Sequence, residues 1–300
     1  MECLAIWNKC NNKCLMCSNP SNYDKWGDYG LKNISSRIEK ISANEREVYL
    51  TGGEPTIHPD FFKVMDSLKK RCSNARIILD TNGRMFCYDD FLNKFFNYSN
   101  IEFQVSLCGQ NAALHDKITR TRGSFNQVVL GIKNILKLKL NKSEVEVRVV
   151  IHKLTLFSLK NIYKFVSNDL MGIKRLIFIF MEYEGMAGKN KKTIGVTYNE
   201  VGPFLEKIFR KTKEAPFEIR LYHFPLCVLP PKFWPYLWRT LPEKEITFLP
   251  SCQKCFYKNY CLGIHRDYLR VVGGEEFKPI KKRINLKISD NFYHPIISVN

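Results

Sequence analysis

The sequence predicts an α/β fold, a partial (β/α)6 TIM-like barrel with a small Cys-rich C-terminal extension. From about residue 46, short β-branched or apolar runs alternate with longer segments of helical period, as in the βα units of a parallel sheet. Near residue 215 this alternation gives way to Pro and aromatic residues. The chain also has 11 Cys, most of them near its two ends. We therefore predict a barrel domain over residues 1–215 and a Cys-rich domain over residues 216–300.

The individual elements follow from hydrophobic period. Runs rich in apolar and β-branched residues predict strands near 3–8, 47–51, 76–80, 101–106, 144–151 and 175–181. Apolar residues three and four apart predict helices at 32–42, 60–72, 89–97, 125–139, 157–168 and 198–213. Asp60 is a candidate cap of the second helix, and Gly123-Ser124 opens the fourth. The extension has too little periodicity for a core of its own, so we expect a metal or cluster to hold it.

Composition limits the class of protein. With 45% hydrophobic and 25% charged residues the chain is an ordinary globular protein, which excludes a disordered or collagen-like one. No run approaches the roughly eighteen apolar residues of a membrane span, and the first residues do not resemble a signal peptide. We therefore expect a cytoplasmic protein without a membrane partner. The net charge of +18 would suit RNA or an acidic leader peptide, although the charge is spread along the whole chain.

Three Cys lie close together on the loop after the first strand. A reducing compartment keeps thiols free, so ligation of a metal or cluster is the first alternative to disulfides. Cys10, Cys14 and Cys17 can hold three corners of a [4Fe-4S] cluster and leave the fourth iron to a small molecule. The alternatives are a zinc site lacking its fourth ligand and a chance spacing.

A second motif, Thr51-Gly52-Gly53-Glu54-Pro55, follows the second strand. Gly52 and Gly53 let the backbone run close to a ligand, and Glu54 offers an acceptor to an ammonium group. A tight turn is the simpler interpretation. Because ligands of such barrels bind beyond the C-terminal ends of the strands, the position of the motif favours binding.

Cys-x3-Cys-x2-Cys followed by Gly-Gly-Glu-Pro resembles the radical S-adenosylmethionine (radical SAM) superfamily over about residues 1–190. The resemblance implies an enzyme whose cluster iron is chelated by S-adenosylmethionine. It implies reductive cleavage of that molecule to a 5'-deoxyadenosyl radical, which abstracts hydrogen from a substrate. It also implies that Gly52, Gly53 and Glu54 fix the methionine amino group, and that flavodoxin or ferredoxin supplies the electron.

Further positions carry over from the same resemblance. Asn82 in Asp80-Thr81-Asn82-Gly83 would face the nucleoside or substrate, and Ser106 would touch the polar end of the ligand. Gly185 would lie under the adenine, and Met16 stands where relatives usually have an aromatic residue. Arg148 lies inside an apolar strand, so we expect it to pair with a ligand carboxylate or a neighbouring acid.

The C-terminal Cys form Cys252-x2-Cys255-x5-Cys261, with Cys227 upstream as a fourth thiolate. Four thiolates saturate a second [4Fe-4S] cluster or a zinc ion, and Cys252, Cys255, Cys261 and His265 make another zinc set. The spacing resembles SPASM and twitch extensions, which implies one auxiliary cluster.

Pro225 to Pro230 and Phe248 to Cys255 resemble maturases of the His-Xaa-Ser peptide system, as do Leu107 to Phe125 and Val147 to Thr155. This closer resemblance, over about half the chain, implies a peptide or protein substrate. RNA modification is the alternative motivated by the charge. A non-catalytic zinc protein that binds nucleic acid is the third hypothesis.

Overall fold

A computed structural model describes residues 2–18, 28–209 and 215–299. Its main feature is one sheet of eight parallel strands arranged in sequence order, with β1 and β8 at the two edges. The fold class predicted above is confirmed, and all six predicted strands are present. The strands are β1 Glu2–Ala5, β2 Glu47–Thr51, β3 Arg76–Thr81, β4 Ile101–Ser106, β5 Glu144–Ile151, β6 Arg175–Phe180, β7 Glu218–Tyr222 and β8 Leu237–Trp238.

Helices connect the strands. They are α1 Leu31–Glu39, α2 Phe61–Arg71, α3 Asp89–Leu92, α4 Ala112–Thr119, α5 Ser124–Leu138, α6 Lys153–Leu156, α7 Leu159–Asp169, α8 Gly185–Lys189, α9 Lys191–Ile194 and α10 Tyr198–Phe209. The helix predicted at 89–97 is α3 followed by a 3-10 segment, and the predicted end at 213 lies outside the described residues. Asp60 precedes α2, but its carboxylate pairs with Lys63 at 2.8 Å and does not cap the helix backbone. Among these helices, none is long and apolar enough to cross a bilayer.

The sheet curls so that one face packs against the helices and the other lines a polar lumen. On β5, Val145, Val147 and Val149 belong to the helix-packed core, whereas Glu146 and Arg148 project to the opposite face. Arg148 Nη1 donates to Tyr49 Oη at 3.3 Å, although β3 and β4 lie between their strands. In a flat sheet the strands would be about 14 Å apart. The contact is therefore possible only in a barrel-like sheet.

Ion pairs fill the N-terminal end of this lumen. Arg175, the first residue of β6, contacts Glu102, Glu144 and Glu146 at 2.6, 3.0 and 2.8 Å. Arg76 adds a contact to Glu144 at 2.7 Å. Although burial acts to raise it, the pKa of Glu146 is lowered by Arg148 and Arg175. The floor of the barrel is thus made of paired charges, because a carboxylate buried without a compensating partner is costly.

The first part of the Cys-rich segment completes the sheet. Strands β7 and β8 lie within residues 216–300, and Ile219 and Leu221 of β7 join the barrel core. The rest of this segment consists of two antiparallel strand pairs, a short helix and 3-10 turns that carry Cys. These elements are β9 Ile246–Thr247, β10 Ile264–His265, α11 Arg266–Val271, β11 Leu286–Ile288 and β12 Ile296–Val299. The division into two domains stays a prediction.

Replacing Arg175 by Met removes the cation that three carboxylates share. We expect the free energy of unfolding at neutral pH to fall by roughly 3 kcal/mol, because partners of a buried ion pair are left without compensation. Urea denaturation measures this change. Lys232→Met is the control, since Lys232 is 62% exposed where it pairs with Glu206. That variant should lose less than about 1 kcal/mol, and equal losses would contradict the assigned role of Arg175.

His152 predicts a dependence of stability on pH. Its ring is fully buried at the start of α6, where Nδ1 accepts from the Leu154 N–H, and burial lowers its pKa from 6.5 to about 4. Its stabilising contribution is present above pH 6.5 and is lost as pH falls towards 4, because the unfolded chain then binds the proton. In His152→Asn, which keeps a cap acceptor, the loss of stability between pH 7 and 4 should be smaller by roughly 3 kcal/mol. Urea denaturation at both pH values tests this, and an unchanged pH dependence would refute it.

Candidate functional site

The three N-terminal Cys lie on the loop that follows β1, at the C-terminal edge of the barrel. Backbone hydrogen bonds fix this cysteine loop, residues 6–18, to its neighbours. Lys13 N donates to Thr119 O and Leu15 N to Ile118 O, both at 2.9 Å, which ties the loop to the end of α4. Met186 N donates to Cys17 O at 2.9 Å, which ties it to α8. The loop is therefore held from two sides by main-chain contacts.

Side chains after β3 fasten the same loop. Arg84 Nη1 contacts Asn11 O at 2.5 Å and Asn12 Oδ1 at 2.8 Å. Asn82 Nδ2 donates to Asn11 Oδ1 at 2.6 Å and lies 3.7 Å from Cys10 Sγ. Asn82, a predicted site residue, is thus next to the first Cys. Arg84 was not predicted as a site residue, since no motif distinguishes it from the other Arg residues of a basic chain.

Gly52 and Gly53 lie against the backbone of the cysteine loop. Gly53 N donates to Trp7 O at 2.7 Å. A Cβ on Gly53 would lie 2.3 Å from Lys9 O, and one on Gly52 would lie 2.4 Å from Trp7 O, where Gly52 also has φ +150°. The sequence predicts that a ligand lies close to these glycines. In the structure the backbone of the cysteine loop makes this close approach.

Glu54 is buried and its carboxylate is occupied by internal donors. Only 1% of the residue is exposed. Thr56 N, Thr56 Oγ1 and Thr81 Oγ1 donate to Oε1 at 3.1, 2.5 and 2.7 Å, and Asn82 N donates to Oε2 at 2.6 Å. Burial raises its pKa, while these hydrogen bonds act to lower it. The carboxylate joins the ends of β2 and β3, and its predicted contact with a ligand ammonium stays a prediction.

The chemistry of the cysteine loop fits an iron–sulfur cluster. Asn12 N donates to Cys10 Sγ at 3.3 Å, a bond that suits a thiolate. Cys10 is partly open to solvent, yet desolvation, Glu54 and the thiols of Cys14 and Cys17 raise its pKa to about 12. A hydrogen bond that the Cys14 thiol donates to buried Cys108, and then burial, raise the pKa of Cys14. Such thiols ionise only when a bound cation replaces their protons.

The other predicted cofactor residues surround the lumen and the loop. Arg148 pairs with Glu146 at 2.6 Å, which confirms the expectation of a neighbouring acid. Ser106, at the end of β4, is its partner in the register of β4 and β5. Met16 is partly buried against the core, and Gly185 opens α8 beside Cys17. Their roles toward a cofactor stay predictions.

The four C-terminal Cys lie close enough for their thiols to interact electrostatically. Leu226 N and Gly263 N both lie 3.4 Å from Cys261 Sγ, and Ile280 N lies 3.4 Å from Cys255 Sγ. Desolvation and the nearby thiols of Cys261, Cys252 and Cys255 raise the pKa of Cys227 to about 12. Both ring nitrogens of His265 contact groups other than these Cys. Nδ1 accepts from Asp267 N at 3.2 Å, and Nε2 lies 3.8 Å from Glu184 Oε1. The zinc set containing His265 is therefore not assembled.

Comparison with known proteins agrees with this geometry. The family model described as Radical SAM superfamily matches residues 4–166, a stretch that contains the cysteine loop and Gly52 to Glu54. The chain belongs to the radical SAM superfamily. It is therefore an enzyme, and the superfamily implies a [4Fe-4S] cluster and S-adenosylmethionine as cofactors.

Individual relatives differ in what they act on. A GTP 3',8-cyclase of Petrotoga mobilis is 25% identical over 221 residues, 72% of this chain and 65% of the cyclase. Mycofactocin maturase MftC of Mycobacterium tuberculosis is 26% identical over 127 residues, 42% of this chain and 32% of the maturase. The chain thus spans less than two thirds of these relatives' length.

Solved structures of other proteins share the fold at low sequence identity. Streptococcus suis SuiB bound to the precursor peptide SuiA has a TM-score of 0.52 and 13% identity, covering 73% of this chain and 48% of SuiB. The structure of anSMEcpe with AdoMet and the Kp18Cys peptide has a TM-score of 0.57 and 21% identity, covering 73% of this chain and 63% of that chain. At these identities the likeness establishes the fold alone.

Gly53→Ala tests the dependence of the cysteine loop on Gly53. The new Cβ would overlap Lys9 O, so the loop must move, and we expect the iron bound per chain after anaerobic reconstitution to fall. Gly202→Ala is the control, because that position in α10 is open, and Ala there should stabilise the helix by about 1 kcal/mol. Unchanged iron content in Gly53→Ala would contradict this account of the loop.

Proposed function

We propose that this radical SAM enzyme modifies a peptide or protein, with Cys10, Cys14 and Cys17 as the ligands of its [4Fe-4S] cluster. The observation that carries the proposal is the clamped loop of three thiols at the C-terminal edge of the barrel. In this superfamily, the reduced cluster and S-adenosylmethionine together supply a 5'-deoxyadenosyl radical that takes a hydrogen atom from the substrate.

The residues of this chain have supporting roles in that scheme. Arg84 and Asn82 keep the loop in place, and Asn82 Nδ2 is within reach of Cys10 Sγ. An N–H group aimed at a thiolate stabilises its negative charge, which favours the reduced cluster. Arg148 and Ser106 line the lumen beneath, where the polar end of a ligand would find hydrogen-bond partners.

We further propose that Cys227, Cys252, Cys255 and Cys261 hold an auxiliary [4Fe-4S] cluster. Zinc bound by four thiolates would bring the sulfurs to about 3.8 Å from one another, as follows from a Zn–S distance of about 2.3 Å. Among the described residues, Glu184, His265 and Asp267 are the group of three potential metal ligands whose atoms lie within 4.8 Å of one another, and this group contains no Cys. No three of the four thiols are thus as close together as zinc requires, which supports a cluster over zinc.

Two comparisons support a peptide substrate. The maturase MftC is among the relatives in sequence, and SuiB, which shares the fold, has been solved with a precursor peptide. A second candidate is a nucleotide substrate, because the GTP 3',8-cyclase matches over a longer part of the chain.

Anaerobic reconstitution with iron and sulfide tests the cluster assignments. The unaltered protein should bind about eight irons, and replacing Cys10, Cys14 and Cys17 by Ala should leave about four. That triple variant should also release no 5'-deoxyadenosine when dithionite and S-adenosylmethionine are added. Replacing Cys252, Cys255 and Cys261 by Ala should likewise leave about four irons while the cleavage continues.

Each opposite outcome is informative. Zinc in place of the second set of irons would refute the auxiliary cluster and leave the radical chemistry intact. Release of 5'-deoxyadenosine by the Cys10, Cys14 and Cys17 variant would refute the ligand assignment. Cys72→Ala is the matched control, since Cys72 is buried behind α2 and belongs to neither group.

A further inference from the structure

Four carboxylates converge where the Cys-rich segment meets the mouth of the barrel. Glu182 and Glu184 lie on the loop after β6, Glu245 precedes β9, and Asp267 belongs to α11. Burial, followed by the neighbouring carboxylates of Glu182, Asp267 and Glu245, raises the pKa of Glu184 to about 7. These four residues, called the carboxylate cluster below, therefore interact strongly with one another.

Fewer cations accompany the carboxylate cluster than the acids at the floor of the barrel. Asp267 pairs with Arg270 at 2.9 Å, but Arg270 is 71% exposed and lies on the outer side. Glu182 has His223 Nδ1 at 3.4 Å, and burial lowers the pKa of His223, which keeps that ring neutral. Within the described part of the chain, no Lys or Arg forms an ion pair with Glu184 or Glu245. In a protein of net charge +18, this makes the cluster a local centre of negative potential.

His265 adds an unsatisfied donor to the same place. The residue is 6% exposed, and its Nδ1 accepts from Asp267 N at the start of α11, so Nε2 carries the proton. Nε2 has no hydrogen-bond partner among the described residues and lies 3.8 Å from Glu184 Oε1. A buried donor without an acceptor is costly, so binding of a ligand that supplies an acceptor is favoured here.

A metal ion fits this arrangement poorly. Ligand atoms of Glu184, His265 and Asp267 lie within 4.8 Å of one another, which is close enough for a divalent cation. A metal ion bound to His265 would occupy the lone pair of Nε2, so the ring proton would have to move to Nδ1. Nδ1–H and the Asp267 N–H would then face each other as two donors without an acceptor. Metal-bound His normally donates its second N–H to an acceptor. An organic cation avoids this conflict, because it leaves the histidine proton on Nε2.

A peptide residue with a basic side chain offers both groups that the site lacks. Its ammonium or guanidinium group can pair with the carboxylates, and its backbone carbonyl can accept from His265 Nε2–H. The carboxylate cluster would repel the phosphates of a nucleotide.

The position of the carboxylate cluster links it to the cofactor loop. Glu184 directly precedes α8, and in that helix Met186 N and Ala187 N donate to Cys17 O at 2.9 and 3.2 Å. A ligand held by Glu184 therefore lies beside the segment that fixes the third Cys.

We propose that the carboxylate cluster, with His265, binds a Lys or Arg side chain of the substrate peptide and thereby places a neighbouring residue at the reaction centre. This inference deepens the proposed peptide-modifying function and rests on it.

Binding of short peptides to the reconstituted full-length protein in the presence of S-adenosylmethionine tests the inference. The probes are acetylated, amidated pentapeptides with Lys, Arg or norleucine between pairs of Gly, measured by saturation-transfer NMR. The Lys and Arg peptides should bind at least about tenfold more tightly than the norleucine peptide, because only they carry the charge. Equal binding of all three would overturn the proposal.

Substitutions in the carboxylate cluster test whether these residues contact the peptide. Glu184→Gln combined with Asp267→Asn should weaken binding of the Lys peptide by about tenfold or more. Glu184→Gln alone should weaken the same binding by less. Glu243→Gln is the matched control, since Glu243 is exposed two residues from Glu245. Binding unchanged in the double variant would refute the site. Displacement of the Lys peptide by MnCl2, with stoichiometric Mn²⁺ bound to the same residues, would assign it to a metal instead.

The binding test is independent of turnover. If 5'-deoxyadenosine is released but Lys and norleucine peptides bind equally, this inference alone fails. If the Lys peptide binds selectively but no 5'-deoxyadenosine forms, the proposed function fails and the cation site stands.

Discussion

The buried carboxylate of Glu54 is the interaction on which the rest of the site depends. A desolvated carboxylate must be matched by donors, and here they come from Thr56, Thr81 and Asn82. This requirement draws the ends of β2 and β3 together. Asn82, fixed at its backbone by Glu54, then reaches the cysteine loop with its side chain, while Glu54 N donates to Lys9 O at 2.8 Å. One carboxylate thus connects the sheet to the loop that carries the three thiols.

The sequence was sufficient for the barrel because its signals are local. Five of the eight residues of 144–151 are β-branched, and α5 presents Val128, Ile132 and Ile135 on one buried face. Two strands of the main sheet were missed for physical reasons. β7 lies where Pro and aromatic residues begin to interrupt the pattern, and β8 has only two residues, so neither stands out in the sequence. β7 is placed by pairing with β6, and β8 by pairing with β7. The short helix α4 was missed because it is weakly amphipathic.

The candidate site also has features that the sequence predicted and features that it did not. Spacing in the sequence identified the two groups of Cys and the Gly-Gly-Glu segment, since these residues are close along the chain. It could not predict that Gly52 and Gly53 contact the backbone of Trp7 and Lys9, because that contact joins two loops of the fold. Nor could it identify the carboxylate cluster, whose members are separated by up to 85 positions and meet only after the Cys-rich segment folds onto the barrel.

The cysteine loop is anchored mainly through its own amide and carbonyl groups, at Lys13, Leu15 and Cys17. Main-chain bonds of this kind do not depend on which side chains stand between the cysteines. Apart from Asn11 and Asn12, whose side chains bond to Asn82 and Arg84, the intervening positions are consequently open to evolutionary drift, as a thioether at Met16 in place of an aromatic ring illustrates. Diverging lineages can therefore alter the surface next to the cofactor, and with it the choice of substrate, while the loop keeps its shape.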